Sequence, residues 1–423
     1  MRIGILGGGE SGVGSAILAN SKGHIVLVSD SNKIAVKYKN ELNEHNIQFE
    51  ESGHTFEILE TLDLIVKSPG IPNTAKIIKH LKKKGVRIIG EIEFGFLQCS
   101  GKIIAITGTN GKTTTTNLTY EMLRNEYQKV GKGGNLGNSF CRMILDEDYD
   151  WFVLEVSSFQ LDDIVTFKPD IACILNVTPD HLDRYEHSIK KYRKAKFRIA
   201  MNQSKEDILF IAHDVEIKKT IQIANVRTKV IKEEKVLLTN PYLRGKHNAM
   251  NVTFAKMMSK SAGVSDKNIE KALESFVNDN HRLQPIVRID EVMYVNDSKA
   301  TNVDAVYYAL TAFSEPIIWI MGGIDKGNDY SIIEKKVKKN VKAIIILSED
   351  TEKIKKFFKG KVSKIIKANN MNKAVKKATM MATSGDVVLL SPACASFDRF
   401  DNYKDRGEQF INEVWNLLEN RGS

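Results

Sequence analysis

The sequence has few cysteines and no long hydrophobic run. Only four cysteines occur among its 423 residues, and no two of them have the CxxC spacing typical of a zinc site. Such sparse, scattered cysteine fits a reducing compartment. No apolar run reaches about 18 residues, and the chain enters a predicted strand at its first residues, so neither a membrane span nor a signal peptide is indicated. We therefore expect a cytoplasmic protein.

Acidic residues are fewer than basic ones. The 62 lysines and arginines outnumber the 52 acidic residues, which gives a net charge of +10. The lysines nevertheless alternate with apolar residues at helical spacing, most densely in residues 335–342 and 353–377, as on solvated helix faces. No RNA-binding aromatic signature or helix-turn-helix pattern accompanies them. We expect no nucleic-acid partner, because an anionic small-molecule substrate accounts for the charge equally well.

The length and the pattern of the chain predict several α/β domains. A chain of 423 residues is too long for one compact core. Short apolar runs alternate with helical patterns in the first 90 or so residues and again after about residue 280, which favours α/β sheets. We place the domains at residues 1–91, 92–280 and 281–423.

The string ITGTNGKTTTT at residues 106–116 follows an apolar run and precedes a helical pattern. Gly108 and Gly111 allow backbone N–H groups to curl around an anion, Lys112 supplies a charge for terminal phosphates, and the Thr113 hydroxyl is placed to bind Mg²⁺. The positive end of the following helix would face the phosphates. Although isoleucine stands where a common GxxxxGK[ST] loop has its first glycine, the pattern predicts a nucleoside triphosphate site.

A second glycine-rich pattern, GxGxxG, occupies residues 7–12 after the first predicted strand. Taken alone it is a dinucleotide-binding fingerprint, with Asp30 placed at the end of the second strand to hold a ribose hydroxyl. The third predicted strand, at residues 63–67, runs into the turn SPGIP at residues 68–72. Ligands of open α/β sheets bind at such strand ends. A plain tight turn is the alternative.

Single polar residues follow two strands of the central segment. Glu155 follows a buried-looking strand about forty residues after the phosphate loop, where its carboxylate could hold Mg²⁺. A helix-capping or salt-bridged surface acid is the alternative. His181 follows the predicted strand at residues 171–175, and it is either a ligand-binding residue or a satisfied hydrogen-bonding partner. In the basic run at residues 190–198, Lys190, Lys191 and Lys194 are expected on the solvated face of a helix.

Further candidates lie towards the C-terminus. Asn248, near a helix start, either caps the helix or contacts a base edge. Arg282 could reach phosphates across a domain boundary or form an interface salt bridge. Three polar loops follow apolar strands, and Lys299 and Lys326 within them suggest a carboxylate-bearing partner, although exposed lysines are the alternative. Those loops occupy residues 296–302, 322–327 and 391–396.

Twelve strings spread over the whole chain together resemble the Mur ligases of peptidoglycan synthesis. In chain order they are GGGESGVG, SPGIP, GTNGKTTT, GNLGNS, EVSSFQL, NVTPDHLDRY, YRKAKFRI, GKHNAMN, NHRLQ, NDSKATN, GGIDKG and SPACASFD. Within this family, SPGIP, EVSSFQL, DSKATN and SPACASFD favour the members that add D-glutamate. The DNPR-type motif of members that add a diamino acid is not present in the sequence.

The resemblance implies a fold, a reaction and partners. It implies an N-terminal Rossmann-like domain that binds uridine diphosphate rather than a nicotinamide dinucleotide, a central P-loop ATPase-like domain and a C-terminal Rossmann-like domain. ATP would phosphorylate the alanine carboxylate of UDP-N-acetylmuramoyl-L-alanine, and the amine of D-glutamate would displace phosphate from the acyl phosphate. Two Mg²⁺ ions and a monomer without a membrane span are expected.

The resemblance also implies roles for the residues that match the family motifs. ATP would contact Gly108, Thr109, Asn110, Gly111, Lys112, Thr113, Thr114, Asn248 at adenine, Arg282 at the terminal phosphates and Asp297 at the ribose. The UDP-sugar would contact Ser11, Asp30, Ser68, Gly70, Ile71, Asn135, Ser157 and His181. D-glutamate would contact Lys299, Thr301, Lys326, Ser396, Phe397 and Tyr403.

Catalytic and metal-binding roles follow from the same resemblance. The residues expected to act in catalysis are Lys112, Glu155, His181, Lys196 and Arg282. Those expected to bind metal are Thr113, Glu155, His181 and Lys196, the last after reaction with CO₂ to a carbamate. Ile324 departs from the family pattern where many relatives have an acid, and Tyr403 stands where phenylalanine is usual.

Two other functions compete with this one. A folylpolyglutamate-synthase-like ligase would share the two ATP-binding domains, but the N-terminal α/β domain with SPGIP argues against it. A nicotinamide-dependent oxidoreductase that uses GxGxxG is the alternative from another class.

Overall fold

The computed structural model describes residues 1–213, 226–232, 240–325 and 327–419. Within these residues the strands form three sheets, of five, six and six strands, with helices between most successive strands. The chain divides into two compact units. The first unit comprises Met1–Glu233 and Asn251–Leu273 and contains the first two sheets, and the second comprises Glu234–Met250 and Glu274–Ser423 and contains the third. The predicted α/β fold class is confirmed, whereas the three domain boundaries stay a prediction.

The first sheet is parallel throughout, in the order β3-β2-β1-β4-β5. Its strands are β1 (Arg2–Leu6), β2 (Ile25–Ser29), β3 (Gln48–Glu50), β4 (Leu64–Lys67) and β5 (Ile88–Gly90). Its helices are α1 (Glu10–Ser21), α2 (Val36–Glu44), α3 (Phe56–Leu59), α4 (Lys76–Lys83) and α5 (Glu91–Phe96). Alternate residues of β1 enter different apolar clusters, Ile3 and Ile5 with α1 and Leu6 with α4, because successive strand residues point to opposite faces. The strand predicted as the third, at residues 63–67, is the fourth strand, β4. The sequence did not indicate β3, because β3 has only three residues and no apolar run.

The second sheet is also parallel, in the order β11-β10-β9-β6-β8-β7. Its strands are β6 (Lys102–Thr107), β7 (Val130–Gly134), β8 (Trp151–Glu155), β9 (Ile171–Ile174), β10 (Ile208–Ala212) and β11 (Arg227–Ile231). The helices along this part of the chain are α6 (Lys112–Arg124), α7 (Phe140–Asp146), α8 (Ser158–Leu161), α9 (Ile189–Phe197), α10 (Lys246–Ser261) and α11 (Asp266–Ser275). Because β6 lies between β9 and β8, the segment after β6 emerges beside the ends of both neighbours.

The third sheet combines parallel pairing with one antiparallel edge strand, in the order β12-β13-β17-β14-β15-β16. Its strands are β12 (Gln284–Ile289), β13 (Val292–Asn296), β14 (Ile317–Met321), β15 (Val341–Ile346), β16 (Lys364–Lys367) and β17 (Val387–Leu390). Its helices are α12 (Val303–Thr311), α13 (Glu334–Asn340), α14 (Glu352–Phe358), α15 (Met371–Met381) and α16 (Tyr403–Glu419). β12 runs antiparallel to β13, and the outer strand β16 exposes a lysine at each end.

Parallel pairing of β13, β17 and β14 brings the three polar loops of this sheet to one edge, as the sequence predicted. No helix in the described ranges is long and apolar enough to cross a membrane.

Glu91, the first residue of α5, is a buried carboxylate in the first unit. Its Oε1 accepts a hydrogen bond from the Cys141 backbone N–H at 2.8 Å. Its Oε2 is buried with no hydrogen-bond partner in the part of the chain that the structure describes. Burial raises the pKa of Glu91 to about 7, from an ordinary value of 4.5.

This carboxyl predicts a pH-dependent stability. Between pH 4.5 and about 7 the folded state binds more protons at Glu91 than the unfolded chain does, so the free energy of unfolding falls as pH rises through this window. Glu91→Gln removes that dependence because glutamine stays neutral. We expect the variant to gain stability relative to wild type between about pH 5 and about pH 8 in urea unfolding. The exposed Glu57→Gln controls for the lost charge. If the free energies of unfolding of Glu91→Gln and wild type differ by the same amount at both pH values, the interpretation is contradicted.

Candidate active site

The loop between β6 and α6, residues 108–111, has the geometry of a phosphate loop. Gly111 is the N-cap of α6 with φ +86°, and a Cβ there would lie 2.4 Å from Asn251 Oδ1, so this position requires glycine. The Asn176 carboxamide holds the loop, because its Oδ1 accepts from the backbone N–H groups of Thr109 and Asn110 at 3.0 and 2.9 Å. The N-terminus of α6, with its positive dipole end, lies directly after this loop.

Two lysines meet on one carbonyl of the phosphate loop. Lys112 Nζ donates to the backbone oxygens of Gly108 and Thr109 at 2.9 and 2.8 Å. Lys196 Nζ donates to the same Gly108 oxygen at 2.8 Å, and it lies 4.6 Å from the centre of the Tyr192 ring. Lys196 is only 1% exposed. Burial, together with the positive charge of Lys112, holds the pKa of Lys196 well below its usual range. Lys190, Lys191 and Lys194 of the basic run are exposed as predicted, whereas Lys196 is buried.

Glu155, at the end of β8, lies beside the phosphate loop and is 3% exposed. Its Oε2 accepts from the Thr113 hydroxyl at 2.7 Å, and its Oε1 accepts from the Asn135 side-chain amide at 2.8 Å. Ser157 rather than Glu155 caps α8, where it forms a capping box with Gln160. The surface-acid alternative for Glu155 is therefore wrong, and the structure brings together Thr113, Glu155 and Asn135.

The donors at this place fit a hard divalent cation. The Thr113 hydroxyl and the Glu155 carboxylate are oxygen ligands of the kind that Mg²⁺ prefers, and both belong to residues that lie next to the loop. Across the described ranges, no cluster of three or more His, Cys, Asp or Glu side chains is suited to a metal ion. A magnesium ion bound here would take its remaining ligands from phosphate oxygens and water, as is usual for Mg²⁺.

His181 lies on an exposed loop after β9. Its backbone is left-handed, with φ 50°, and its N–H donates to Asp180 Oδ1 at 2.9 Å. The imidazole packs edge-on against the Phe159 ring, with 5.2 Å between the ring centres. No hydrogen bond joins it to Glu155 or Lys196 in the described residues. Its predicted metal and substrate contacts therefore stay predictions.

The glycine-rich loop at residues 7–12 passes from β1 into α1. A Cβ at Gly12 would lie 1.7 Å from the Gly7 carbonyl oxygen, so only glycine fits. The Asp30 carboxylate holds the loop by accepting from the Gly8 backbone N–H at 2.7 Å. Ser68 Oγ is buried close to Gly7 and makes no hydrogen bond within the described ranges. The predicted UDP-sugar residues of this sheet lie around this loop. Ser11 is in the first turn of α1, Asp30 follows β2, and Ser68, Gly70 and Ile71 are in the turn after β4.

The second unit contains the other predicted nucleotide-binding residues. Asp297 follows β13, and its two oxygens accept from the Leu283 backbone N–H at 3.1 Å and from the Ser391 hydroxyl at 2.8 Å. Burial raises the pKa of Asp297 to about 7. Asn248 lies in the first turn of α10 and donates to the Arg244 carbonyl at 2.9 Å. The ATP contacts expected for Asn248, Arg282 and Asp297 stay predictions.

The polar edge of the third sheet contains the predicted D-glutamate residues. Lys299 Nζ lies 5.6 Å from the centre of the Tyr403 ring, while Thr301 is exposed on the same loop. Ser396 is buried and Phe397 is 68% exposed. Lys326 lies outside the described residues.

Ile324 stands where many relatives have an acid. Its backbone pairs with that of Ala395, in the loop at residues 391–396, through two hydrogen bonds. Side-chain identity matters little for such backbone pairing.

Arg406 ties two of these loops together and was not predicted. It is 1% exposed, and it donates to the backbone oxygens of Ser298 and Cys394 at 2.8 and 3.1 Å. Burial lowers the pKa of Arg406 to about 10. Asn176, which holds the phosphate loop, was also missed as a site residue. The signal for Asn176 was its position two residues after the end of β9, whereas Arg406 lies on α16, 108 residues from Ser298.

Comparison with known families gives three matches along the chain. Residues 2–77 match the MurD N-terminal domain, residues 106–237 the Mur ligase middle domain, and residues 281–394 the glutamate ligase domain of Mur ligases. The chain is 44% identical to the UDP-N-acetylmuramoylalanine–D-glutamate ligase of Christiangramia forsetii, over 98% of this chain and 99% of the relative. It is 43% identical to the enzyme of the same name from Porphyromonas gingivalis, over 98% of each.

Solved structures share the fold at low sequence identity. The MurF ligase of Thermotoga maritima in complex with ADP aligns with a TM-score of 0.62 at 15% identity, and 94% of this chain and 95% of that chain are covered. The UDP-N-acetylmuramate–alanine ligase MurC of Thermotoga maritima aligns with a TM-score of 0.61 at 19% identity, over 99% of this chain and 100% of that chain. With three family domains in order and relatives above 40% identity along almost its full length, this chain belongs to the Mur ligase family.

Proposed function

We propose that the chain is an ATP-dependent ligase that joins D-glutamate to UDP-N-acetylmuramoyl-L-alanine in the synthesis of peptidoglycan precursors. The observation that carries the proposal is the convergence of Lys112, Thr113, Glu155 and Lys196 on one phosphate loop. It occurs in a chain that is 40–44% identical, over 98% of its length, to several enzymes named for this reaction.

The chemistry requires activation of a carboxylate. A carboxylate resists attack by an amine because oxide is a very poor leaving group, and transfer of the γ-phosphoryl group of ATP gives an acyl phosphate that expels phosphate instead. Lys112 and the N-terminus of α6 place positive charge against the phosphates, where charge develops during transfer. The amine of D-glutamate then attacks the carbonyl carbon, the C–N bond forms, and the tetrahedral intermediate loses phosphate. The chain mainly positions the reactants and balances charge.

Two magnesium ions belong to the proposal. Thr113 and Glu155 would hold one of them, and His181 with a modified Lys196 would lie near the other. Bound Mg²⁺ would neutralise phosphate charge. The buried environment of Lys196 supports its modification, because a buried lysine with a lowered pKa supplies the neutral amine that adds to CO₂. That addition forms an N–C bond and releases one proton, and it leaves an anionic carbamate.

The remaining assignments follow the positions of the loops. The loop at residues 7–12 and the hydroxyl of Ser68 are proposed to bind the diphosphate end of the UDP-sugar, since a helix N-terminus favours a diphosphate. The polar edge of the third sheet, with Lys299, is proposed to bind the carboxylates of D-glutamate. ATP as co-substrate supports a cytoplasmic location, and a monomer is part of the proposal.

A substrate-omission assay tests the function. Purified protein is mixed with ATP, Mg²⁺, UDP-N-acetylmuramoyl-L-alanine and D-glutamate, and phosphate release is measured with each component left out in turn. We expect release only from the complete mixture, and none when L-glutamate replaces D-glutamate. Phosphate release that does not need D-glutamate would contradict the ligase. Reduction of NAD would favour the oxidoreductase, and a folate substrate in place of the UDP-sugar would favour the folylpolyglutamate-type ligase.

A further inference from the structure

The side chain of Arg184 holds the backbone of the SPGIP turn. Its guanidinium donates to three successive carbonyl oxygens, those of Pro69 at 3.0 Å, Gly70 at 3.3 Å and Ile71 at 3.4 Å. The turn follows β4 of the first sheet, whereas Arg184 lies in the short 3₁₀ helix Leu182–Tyr185 after β9 of the second sheet. A single side chain thus fixes the orientation of three peptide groups that are more than 110 residues away in sequence.

A second cation supports the same turn. Lys67 Nζ donates to the Ile71 carbonyl at 2.8 Å and forms an ion pair of 2.7 Å with Asp163, which follows α8. Both partners are almost fully buried. The turn is therefore attached to the second sheet at two points, and Ser68, at its start, presents a buried hydroxyl without a partner in the described residues beside the loop at residues 7–12.

The other face of Arg184 leads to His181. The guanidinium carbon lies 4.1 Å from the centre of the Phe159 ring, and that ring packs edge-on against the His181 imidazole at 5.2 Å. Phe159 also stacks on Tyr185, whose hydroxyl donates to Asp162 Oδ2 at 2.8 Å. Arg184 and His181 are therefore connected through one aromatic ring as well as through the two residues of backbone between them and a backbone hydrogen bond of 3.1 Å from Arg184 N–H to the His181 carbonyl.

We propose that Arg184 is a positioning residue that couples binding of the UDP-sugar at residues 68–71 to the placement of His181. The inference rests on the proposed function, which assigns both the turn and His181 to the UDP-sugar. Movement of the turn shifts three hydrogen bonds of Arg184, and the guanidinium transmits that shift to Phe159 and on to the imidazole. A lysine cannot replace it, because an ammonium group lacks the planar fork that reaches several carbonyls and stacks on a ring.

The test uses the full chain with Arg184→Gln, Arg184→Lys and Phe159→Leu, and with Lys190→Gln as a charge control from the same exposed segment. Calorimetry gives the Kd for UDP-N-acetylmuramoyl-L-alanine, steady-state kinetics give kcat and the KM for D-glutamate, and thermal unfolding gives Tm. We expect both Arg184 variants to raise this Kd by about tenfold and to lower kcat, with the KM for D-glutamate and the Tm close to wild type. Lys190→Gln should behave as wild type.

Phe159→Leu breaks the connection from Arg184 to His181 but leaves the connection from the turn to Arg184 in place. It should lower kcat with little change in Kd, because the turn keeps its hydrogen bonds to Arg184. In the double variant with Arg184→Gln, kcat should fall no further than in the worse single variant, since both changes break one connection. Additive losses in kcat, or Arg184 variants with a wild-type Kd, would overturn the coupling. So would a uniform loss of all parameters with a lowered Tm, which indicates a purely structural role. A wild-type chain that does not bind the UDP-sugar would overturn the proposed function as well.

Discussion

Lys112→Ala is expected to lower kcat by on the order of 10³-fold, while the Kd for the UDP-sugar stays within a few-fold of wild type. The ammonium group lies at the phosphate loop, where it contacts the carbonyls of Gly108 and Thr109. There its positive charge would stabilise the negative charge that develops as the phosphoryl group is transferred. A loss of this size corresponds to about 4 kcal/mol of transition-state stabilisation. Most of the residues proposed to bind the UDP-sugar lie at the first sheet, so binding of that substrate should be nearly unaffected.

The matched control for this variant is Lys102→Ala. Lys102 is the exposed first residue of β6, the strand that ends at the phosphate loop. The control therefore also removes one lysine charge, but at the end of β6 that is remote from the loop. We expect wild-type kcat from Lys102→Ala. Phosphate release measured at saturating substrates gives kcat for both variants, and calorimetry gives the Kd. A Lys112→Ala enzyme that keeps more than about a tenth of the wild-type kcat would remove Lys112 from the proposed role.

Lys196→Met is expected to lower kcat by about 10²-fold or more, because the variant keeps the length of the side chain but can form no carbamate. In wild type, burial lowers the pKa of Lys196, so at a given pH more of its amine is neutral and able to form a carbamate than that of an exposed lysine. Enzyme equilibrated with ¹³C-labelled bicarbonate should therefore show a carbamate carbon signal by NMR.

Lys194→Met provides the control for this experiment. Lys194 is exposed on the same helix, two residues before Lys196. We expect both the carbamate signal and wild-type kcat from Lys194→Met, and neither from Lys196→Met. Depletion of CO₂ should lower kcat of wild type and of Lys194→Met alike. A Lys196→Met enzyme with wild-type kcat, or with the labelled signal intact, would contradict the modification.

Much of the site could be predicted because parallel sheets collect strand ends at one edge. The phosphate loop, Glu155 and the three loops of the third sheet each follow an apolar run, so their positions followed from local patterns. Strands β14 and β17 each coincide with one of the apolar runs that follow residue 280. The buried state of Lys196 followed from none of these patterns, since the neighbouring lysines of its helix are exposed.

Other features depend on contacts between distant residues and left no local signal. Contacts between remote segments join Arg184 to the SPGIP turn, Lys67 to Asp163, and Arg406 to Ser298. β7 was missed because its glycines lack an apolar alternation, and β3 because it has only three residues. Neither the antiparallel direction of β12 nor the order of the strands follows from periodicity alone.

The outer strand of the third sheet has a consequence for behaviour at high concentration. β16 exposes Lys364 and Lys367 at either end of two half-buried isoleucines. A second molecule that added its own copy of this strand would bring like charges together and would have to bury two ammonium groups. Aggregation by strand addition at this edge is therefore disfavoured, and replacement of both lysines by uncharged β-branched residues would remove that protection.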